Sequence, residues 1–318
     1  MQVFLTGSTG FVGSAFLKAA QQRNIKVRAL FRSNVQAKSL SDDENSIVVV
    51  PCIDAYTDWS NALIDIDVVV HCAARVHVMH DLTSDPVAEF SKVNVDGTLN
   101  LARQAAFARV KRFVFLSSIK VNGEATQPGC PYSANDVPAP EDAYGISKAE
   151  AEAGLRLLSL ETGMEVVIIR PPLVYGPGVK GNFSSLLRWV ASGLPLPLGA
   201  VANNRRSLVG LDNLVDLIIT CVDHPNAANQ IFLVSDGEDL STTDLLRRMG
   251  KSLNQPARLI PVPVTIASIA SCMLGRSSEA QRLLGSLQVD IRKTCILLNW
   301  EPPVSVDEGL RRAVQQRL

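Results

Sequence analysis

The chain has 318 residues, and several common features are missing from it. Neither sign of charge is in excess: 31 Lys and Arg stand against 31 Asp and Glu, a formal net charge of zero. That balance argues against a nucleic-acid binder held by a broad basic face. No apolar run approaches the roughly 18 residues that a membrane span needs. The longest, residues 264–274, contains Thr265, Ser268 and Ser271 and is expected to form a buried or amphipathic helix, so no membrane partner is expected. No basic segment precedes Val3-Phe4-Leu5-Thr6-Gly7, so a secretory leader is not expected either. The six cysteines (52, 72, 130, 221, 272 and 295) form no C-x-x-C pair. A disulfide framework or zinc site is therefore not expected, and the thiols read as reduced residues of a cytoplasmic protein. No internal repeat is visible. What is present is apolar material, 47% of the residues, enough for a large core. At roughly 150 residues per domain, the length suits about two domains or one large α/β unit.

Strand and helix signals alternate along the first half. Strands are expected at residues 3–6, 26–31, 47–51, 67–72, 112–117 and 165–170, and helices at 11–22, 93–108 and 142–161. Val48-Val49-Val50 and Val68-Val69-Val70 are apolar on both faces, the pattern of strands inside a parallel sheet covered by helices. The expected class is α/β, a doubly wound parallel sheet of the dinucleotide-binding type with right-handed crossovers. After residue 170 the pattern changes. Residues 171–210 are rich in Pro, Gly and Asn around one helix at 183–192. A helix at 211–223, a strand at 230–234 and a Ser-capped helix at 241–253 follow. Residues 1–170 plus about 211–238 are expected to form the dinucleotide domain. Residues 171–210 plus about 239–318 would form a smaller, mixed substrate domain.

The first strand runs into Gly7-Ser8-Thr9-Gly10-Phe11-Val12-Gly13. Gly7 suits a turn with positive φ, Gly10 lets a pyrophosphate approach the backbone, and Gly13 lets the helix pack on the sheet. The helix start at Phe11 and Val12 offers unpaired N–H groups to phosphate. Glycines often serve only turns, but a strand before and a helix after supply the context the motif requires. At the end of the second strand an acid would hold the ribose 2′-OH of NAD, and an arginine the 2′-phosphate of NADP. Arg32 stands there without an acid, which favours NADP; the alternative is a solvated loop charge. Asp54 is placed either to meet the adenine amino group or to make a turn.

Tyr144 and Lys148 are four residues apart, on one face of the expected helix. A neighbouring Lys⁺ favours the phenolate, so the tyrosine is expected to titrate lower and serve as acid or base at a carbonyl/alcohol carbon. Ser117-Ser118 ends a strand, where ligands sit in doubly wound sheets; turn capping is the alternative. His77 and His80 lack a third metal ligand nearby, so a polar loop is expected rather than a metal site, with His77 touching substrate.

The glycine turn, His71-Cys72-Ala73-Ala74, Ser117-Ser118, Tyr144-x-x-x-Lys148 and Arg170-Pro171 occur in one order. In these the chain resembles the extended short-chain dehydrogenase/reductases, and within them the nucleotide-sugar epimerase/dehydratase/reductase group. The resemblance implies a Rossmann-type fold and a catalytic set of Ser118, Tyr144 and Lys148, with Lys148 also on the nicotinamide ribose. It puts Ala73, Ala74 and Pro171 against the cofactor. It implies Asn182 facing the sugar phosphate, Arg206 on the diphosphate, and Arg282 as a second such arginine, with Arg276 competing. The family's 4,6-dehydratases carry Asp-Glu after the catalytic hydroxyl residue; Ile119-Lys120 here argues against that reaction. Its epimerases often read Val-Tyr-Gly where this chain has Val121-Asn122-Gly123, and carry the acid that is missing after the second strand. The stretches 73–79 and 118–124 look like those of bacterial UDP-4-keto-6-deoxy-N-acetylhexosamine (quinovosamine-type) reductases of surface-polysaccharide synthesis. The first expectation is thus an NAD(P)H-dependent reductase of such a UDP-sugar, NADP favoured, with Tyr144 as general acid. The alternatives are a UDP-hexose 4-epimerase with tightly bound NAD, a reductase of non-nucleotide ketones, and a cofactor-sensing binding protein. Many relatives pair the 93–108 and 142–161 helices in a homodimer, which is expected here.

Overall fold

The computed structural model describes residues 1–33, 47–76, 85–273 and 277–315. Its strands are β1 (Gln2–Thr6), β2 (Lys26–Phe31), β3 (Ile47–Val49), β4 (Val68–His71), β5 (Arg112–Leu116), β6 (Glu165–Arg170), β7 (Leu173–Tyr175), β8 (Arg206–Gly210), β9 (Ile231–Leu233) and β10 (Asp239–Leu240). Seven of them form one sheet in the order β3-β2-β1-β4-β5-β6-β9, with every neighbouring pair parallel. The order reverses at β1, so the crevice for a ligand lies beyond the carboxyl ends of β1 and β4.

The all-valine strands are explained by coverage on both faces. Val3, Leu5, Val68, Val70, Val114 and Val167 pack with Phe16, Leu17 and Ala20 of the Phe11–Gln22 helix and with the Leu211–Asp223 helix. Phe4, Val69, Phe113, Phe115, Val166 and Ile168 turn the other way, onto Leu101, Ala102 and Ala105 of the Thr98–Phe107 helix and Ala151, Leu155 and Leu158 of the Ala143–Thr162 helix. Successive residues therefore serve opposite cores, and neither face tolerates a polar alternation.

A second, three-stranded sheet runs β10-β8-β7, with β7 parallel and β10 antiparallel to β8. Residues 171–210 read from sequence as one helix among loops, so β7 and β8 were not foreseen. They are three and five residues long and pair with each other, with β10 and, at Arg206, with Leu287, so no local alternation marks them. Around them Tyr175, Phe183, Leu187, Leu208, Leu246 and Leu310 make a separate core.

Two other elements depart from expectation. The single helix expected at 93–108 is a wider π-helical segment, Lys92–Gly97, followed by the α-helix Thr98–Phe107. The 264–274 stretch is neither buried nor amphipathic over the residues described. The Val264–Met273 helix leaves Val264, Ile266, Ile269 and Met273 exposed, because helical packing reaches it from the neighbouring Ser277–Leu284 helix alone among strong contacts. Among the described residues no helix is long and apolar enough to cross a membrane.

Candidate active site

The turn after β1 has the geometry its glycines suggest. Gly7 sits at φ +72°, and a Cβ there would lie 2.7 Å from the Ala73 nitrogen. A Cβ on Gly13 would lie 2.1 Å from the Gly7 carbonyl oxygen, inside any contact distance. The Phe11–Gln22 helix starts from Gly10 with no side-chain cap and no acid in its first turn. Among the described residues no side chain caps its amides, those of Phe11 and Val12 among them, which suits them to an anion. Ala73, whose N–H donates to Thr6 Oγ1 at 3.3 Å, lies directly against Gly7.

Ser118, Tyr144 and Lys148 converge at the carboxyl end of β5. Ser118 is the first residue past that strand end to leave the sheet, and its hydroxyl caps a short 3₁₀ turn, accepting from the Lys120 N–H at 3.3 Å. The helix bearing Tyr144 and Lys148 is capped by Asp142, whose carboxylate accepts from the Gly145 N–H at 2.7 Å. Lys148 is buried; its ammonium donates to the Leu116 carbonyl at 2.8 Å and lies 4.3 Å from the centre of the Phe115 ring. Burial pushes it down to about 8, against the partly offsetting pull of Cys72 and Glu152. The expectation of a tyrosine pulled down by this lysine is not met. Burial pushes the Tyr144 phenol above its ordinary value and the Asp142 carboxylate adds to that.

Several supporting residues were missed from sequence. His71 is fully buried between the hydroxyls of Thr6 (2.7 Å from Nδ1) and Thr98 (3.0 Å from Nε2). Asn94, in the π-helical segment, accepts from the Arg75 N–H at 2.8 Å and donates to the Ser147 hydroxyl at 3.0 Å, tying the loop after β4 to the tyrosine helix. Beneath the strand ends Arg170 and Glu152 form a buried pair, Nε to Oε1 at 2.9 Å and Nη2 to Oε2 at 2.5 Å. Glu152 also accepts from Ser117 at 2.5 Å, and Arg170 donates to Asn122 at 2.9 Å. The available signal was the i,i+4 spacing of Lys148 and Glu152, which puts the acid one turn below the lysine.

The remaining expected residues are placed as follows. Pro171 is buried, and its carbonyl accepts from the Ile119 N–H at 2.9 Å, so it lies beside the serine turn. Ala74 is half-buried in the loop after β4. Arg32 is exposed at the end of β2. Asp54 makes a turn: its carboxylate accepts from the Tyr56 N–H at 2.9 Å and the Thr57 hydroxyl at 3.0 Å, and these bonds hold its pKa down. Arg206, at the start of β8, donates to the Gly285 carbonyl at 3.1 Å. Burial and the nearby Arg282 both lower its pKa, Glu124 acting oppositely. The fold thus brings together two arginines far apart in sequence. Asn182 is exposed at the start of the Gly181–Ala191 helix. His77, His80 and Arg276 lie outside the described residues.

Three comparisons follow from this arrangement. The family model for the NAD dependent epimerase/dehydratase family matches residues 3–235. The chain is 49% identical over 313 residues to a UDP-glucose 4-epimerase of Vibrio cholerae, covering 98% of this chain and 94% of that protein. Among solved structures it is similar to the UDP-N-acetylglucosamine 4-epimerase from Bacillus cereus, with a TM-score of 0.80 at 20% identity over all of both chains. It is also similar to the UDP-glucuronic acid 4-epimerase from Bacillus cereus in complex with NAD, with a TM-score of 0.78 at 21% identity over 99% of this chain and 96% of that one. At those identities the two structures share the fold.

Proposed function

The chain belongs to the NAD dependent epimerase/dehydratase family, and from that premise we propose that it is a UDP-hexose 4-epimerase working with a retained NAD. The observation that carries this over the reductase reading is the 49% identity with the Vibrio cholerae UDP-glucose 4-epimerase, which spans 98% of this chain. The geometry supports a nicotinamide dinucleotide. The backbone cradle at Gly7 and Gly13 has no room for side chains, and the uncapped helix start suits a pyrophosphate.

Held by the Gly7–Gly13 turn and by Lys148, such a group would supply a reversible hydride acceptor for the sugar's C4 and a positive ring that would favour the Tyr144 phenolate. The chain's own residues handle the proton and the pose. Tyr144 takes the proton of the C4 hydroxyl at its phenolic oxygen and later gives it back. Ser118 hydrogen-bonds the same sugar oxygen, and Lys148 holds the cofactor's ribose. Arg206 and Arg282 hold the diphosphate, whose charge would relieve the repulsion by which Arg282 lowers the Arg206 pKa. Asn182 and His77 would complete the sugar contacts. The apolar Phe107, Leu157 and Leu160, exposed on the Thr98–Phe107 and Ala143–Thr162 helices, support a homodimer.

One observation favours a second reading, a UDP-4-keto-sugar reductase using NADPH. No acid follows β2, and the exposed Arg32 is free to meet a 2′-phosphate. A single experiment separates the two. Protein purified without added nucleotide is assayed for conversion of UDP-glucose to UDP-galactose, and its bound nucleotide is identified by mass spectrometry. The epimerase reading expects stoichiometric NAD and turnover with no added cofactor. An empty protein that needs NADPH and a 4-keto sugar would replace it. In either case Tyr144→Phe is expected to lower kcat by about 10²–10⁴-fold with cofactor binding nearly unchanged.

A further inference from the structure

Where the family's dehydratases carry a carboxylate, this chain carries Lys120, which the reaction above leaves without a role. We propose that Lys120 is a positioning residue that clamps the loop bearing Ser118 to the first turn of the helix bearing Tyr144. This rests on the reading of Ser118 and Tyr144 as the pair at the sugar oxygen.

The side chain of Lys120 reaches across two elements. Its ammonium donates to Glu124 Oε1 at 2.7 Å, four residues on in its own loop, and to Asp142 Oδ2 on the tyrosine helix. Asp142 uses its other oxygen to cap that helix at Gly145. The Lys120 backbone takes part as well. Its N–H donates to the Ser118 hydroxyl, and its carbonyl oxygen lies 2.9 Å from where a Cβ on Gly145 would be. Only glycine lets the helix start come this close. The three charged side chains are 19–28% exposed, so the pairs are partly shielded from water. A carboxylate at position 120 would instead meet Glu124 and Asp142 with like charge and push the serine loop away.

The clamp also balances charge. The groups around Tyr144 are Asp142 and Lys148 on its own helix, Lys120 and Glu124 on the serine loop, Glu89 on the helix of Phe90, and Arg75. Arg75 lies 5.9 Å from the centre of the Phe90 ring, which packs edge-on to Tyr144. Asp142 raises the phenol's pKa and Lys120 partly neutralises Asp142. Removing the ammonium therefore moves upward the limb of the pH–kcat profile on which Tyr144 ionises, the rising limb when it acts as base.

The test uses Lys120→Met and Lys120→Arg in the full chain. K120M is expected to lower kcat by about tenfold to a hundredfold with the KM for the UDP-sugar within about threefold, as misplaced reacting groups do. The rising limb of its pH–kcat profile is expected to move up by about half a pH unit or more, with K120R restoring both. Amides of 118–124 and 142–146 are expected to exchange hydrogen faster in K120M than in the wild type, a readout that needs no substrate. Unchanged exchange overturns the clamp whatever the substrate. So does a K120M with wild-type kcat and pH profile. If the wild type turns over no UDP-sugar while K120M still loosens these amides, the reaction proposed above fails and the clamp stands. Should K120M not fold, Glu124→Gln removes one arm and is expected to act in the same direction, more weakly.

Discussion

A fully buried histidine with both ring nitrogens bonded to hydroxyls acts as a structural residue, however close it lies to the chemistry. His71 is bonded to Thr6 and Thr98 and stacks on Phe115 with ring centres 5.9 Å apart. Burial, aided by the charge of Lys148, pulls it from 6.5 down to about 3. Between those values the unfolded chain binds a proton that the folded one refuses, so this contribution is full above about pH 6.5 and is lost on acidification. At about pH 5 the loss is about 2 kcal/mol. Urea midpoints measured at pH 7 and pH 5 are expected to fall accordingly in the wild type. In His71→Gln they should fall less, from a lower starting point. An equal pH slope in both proteins would assign the effect to other groups.

At the scale of elements, β1 and the helix after it are held by a contact that has no slack. The Gly13 position faces the Gly7 carbonyl at a distance no Cβ can occupy, whereas at Gly10 the same oxygen is 3.1 Å away. Gly13→Ala must therefore displace the helix or the turn, and both carry the amides proposed to hold the pyrophosphate. The expected cost is roughly 1–3 kcal/mol of stability, with cofactor affinity falling together with it. Gly10→Ala is expected to be milder in stability. Thermal melts with and without NAD check both, since a helix that has moved loses the stabilisation that ligand confers. The glycine pattern was legible because the turn and its two flanking elements lie within a few residues. The Glu152–Arg170 pair was not, because its members sit on a helix and a strand and meet only across the packed layer.

Over the whole molecule, the described surface carries large apolar side chains at several places, and two of these lie on helices that bear several each. One is the Val264–Met273 helix; the other is Phe107 at 93%, Leu157 at 58% and Leu160 at 86% exposure on the two helices flanking one face of the main sheet. A pairing of copies through the second place buries those side chains, which a lone chain leaves in water. Leu157→Glu is expected to convert a dimer into a monomer in sedimentation velocity, with the far-ultraviolet dichroism unchanged. A wild type that sediments as a monomer would remove the homodimer from the proposal.

The periods of 3.6 and 2 residues and the glycine–strand–helix grammar act over neighbours in the chain. For that reason the sequence alone determined the parallel seven-stranded core to within a residue or two at most strand and helix ends, the phosphate turn, and the face shared by Tyr144 and Lys148. Where the outcome depended on partners distant in sequence, only the tertiary structure decided it. The short strands β7, β8 and β10 exist because they pair with one another. Arg206 comes near Arg282 because β8 bridges to Leu287 and Arg206 bonds Gly285, just past the Ser277–Leu284 helix. The upward push on Tyr144 comes from burial and a neighbouring carboxylate. Desolvation and charge pairing are properties of an environment, and an environment is assembled only when the layers close.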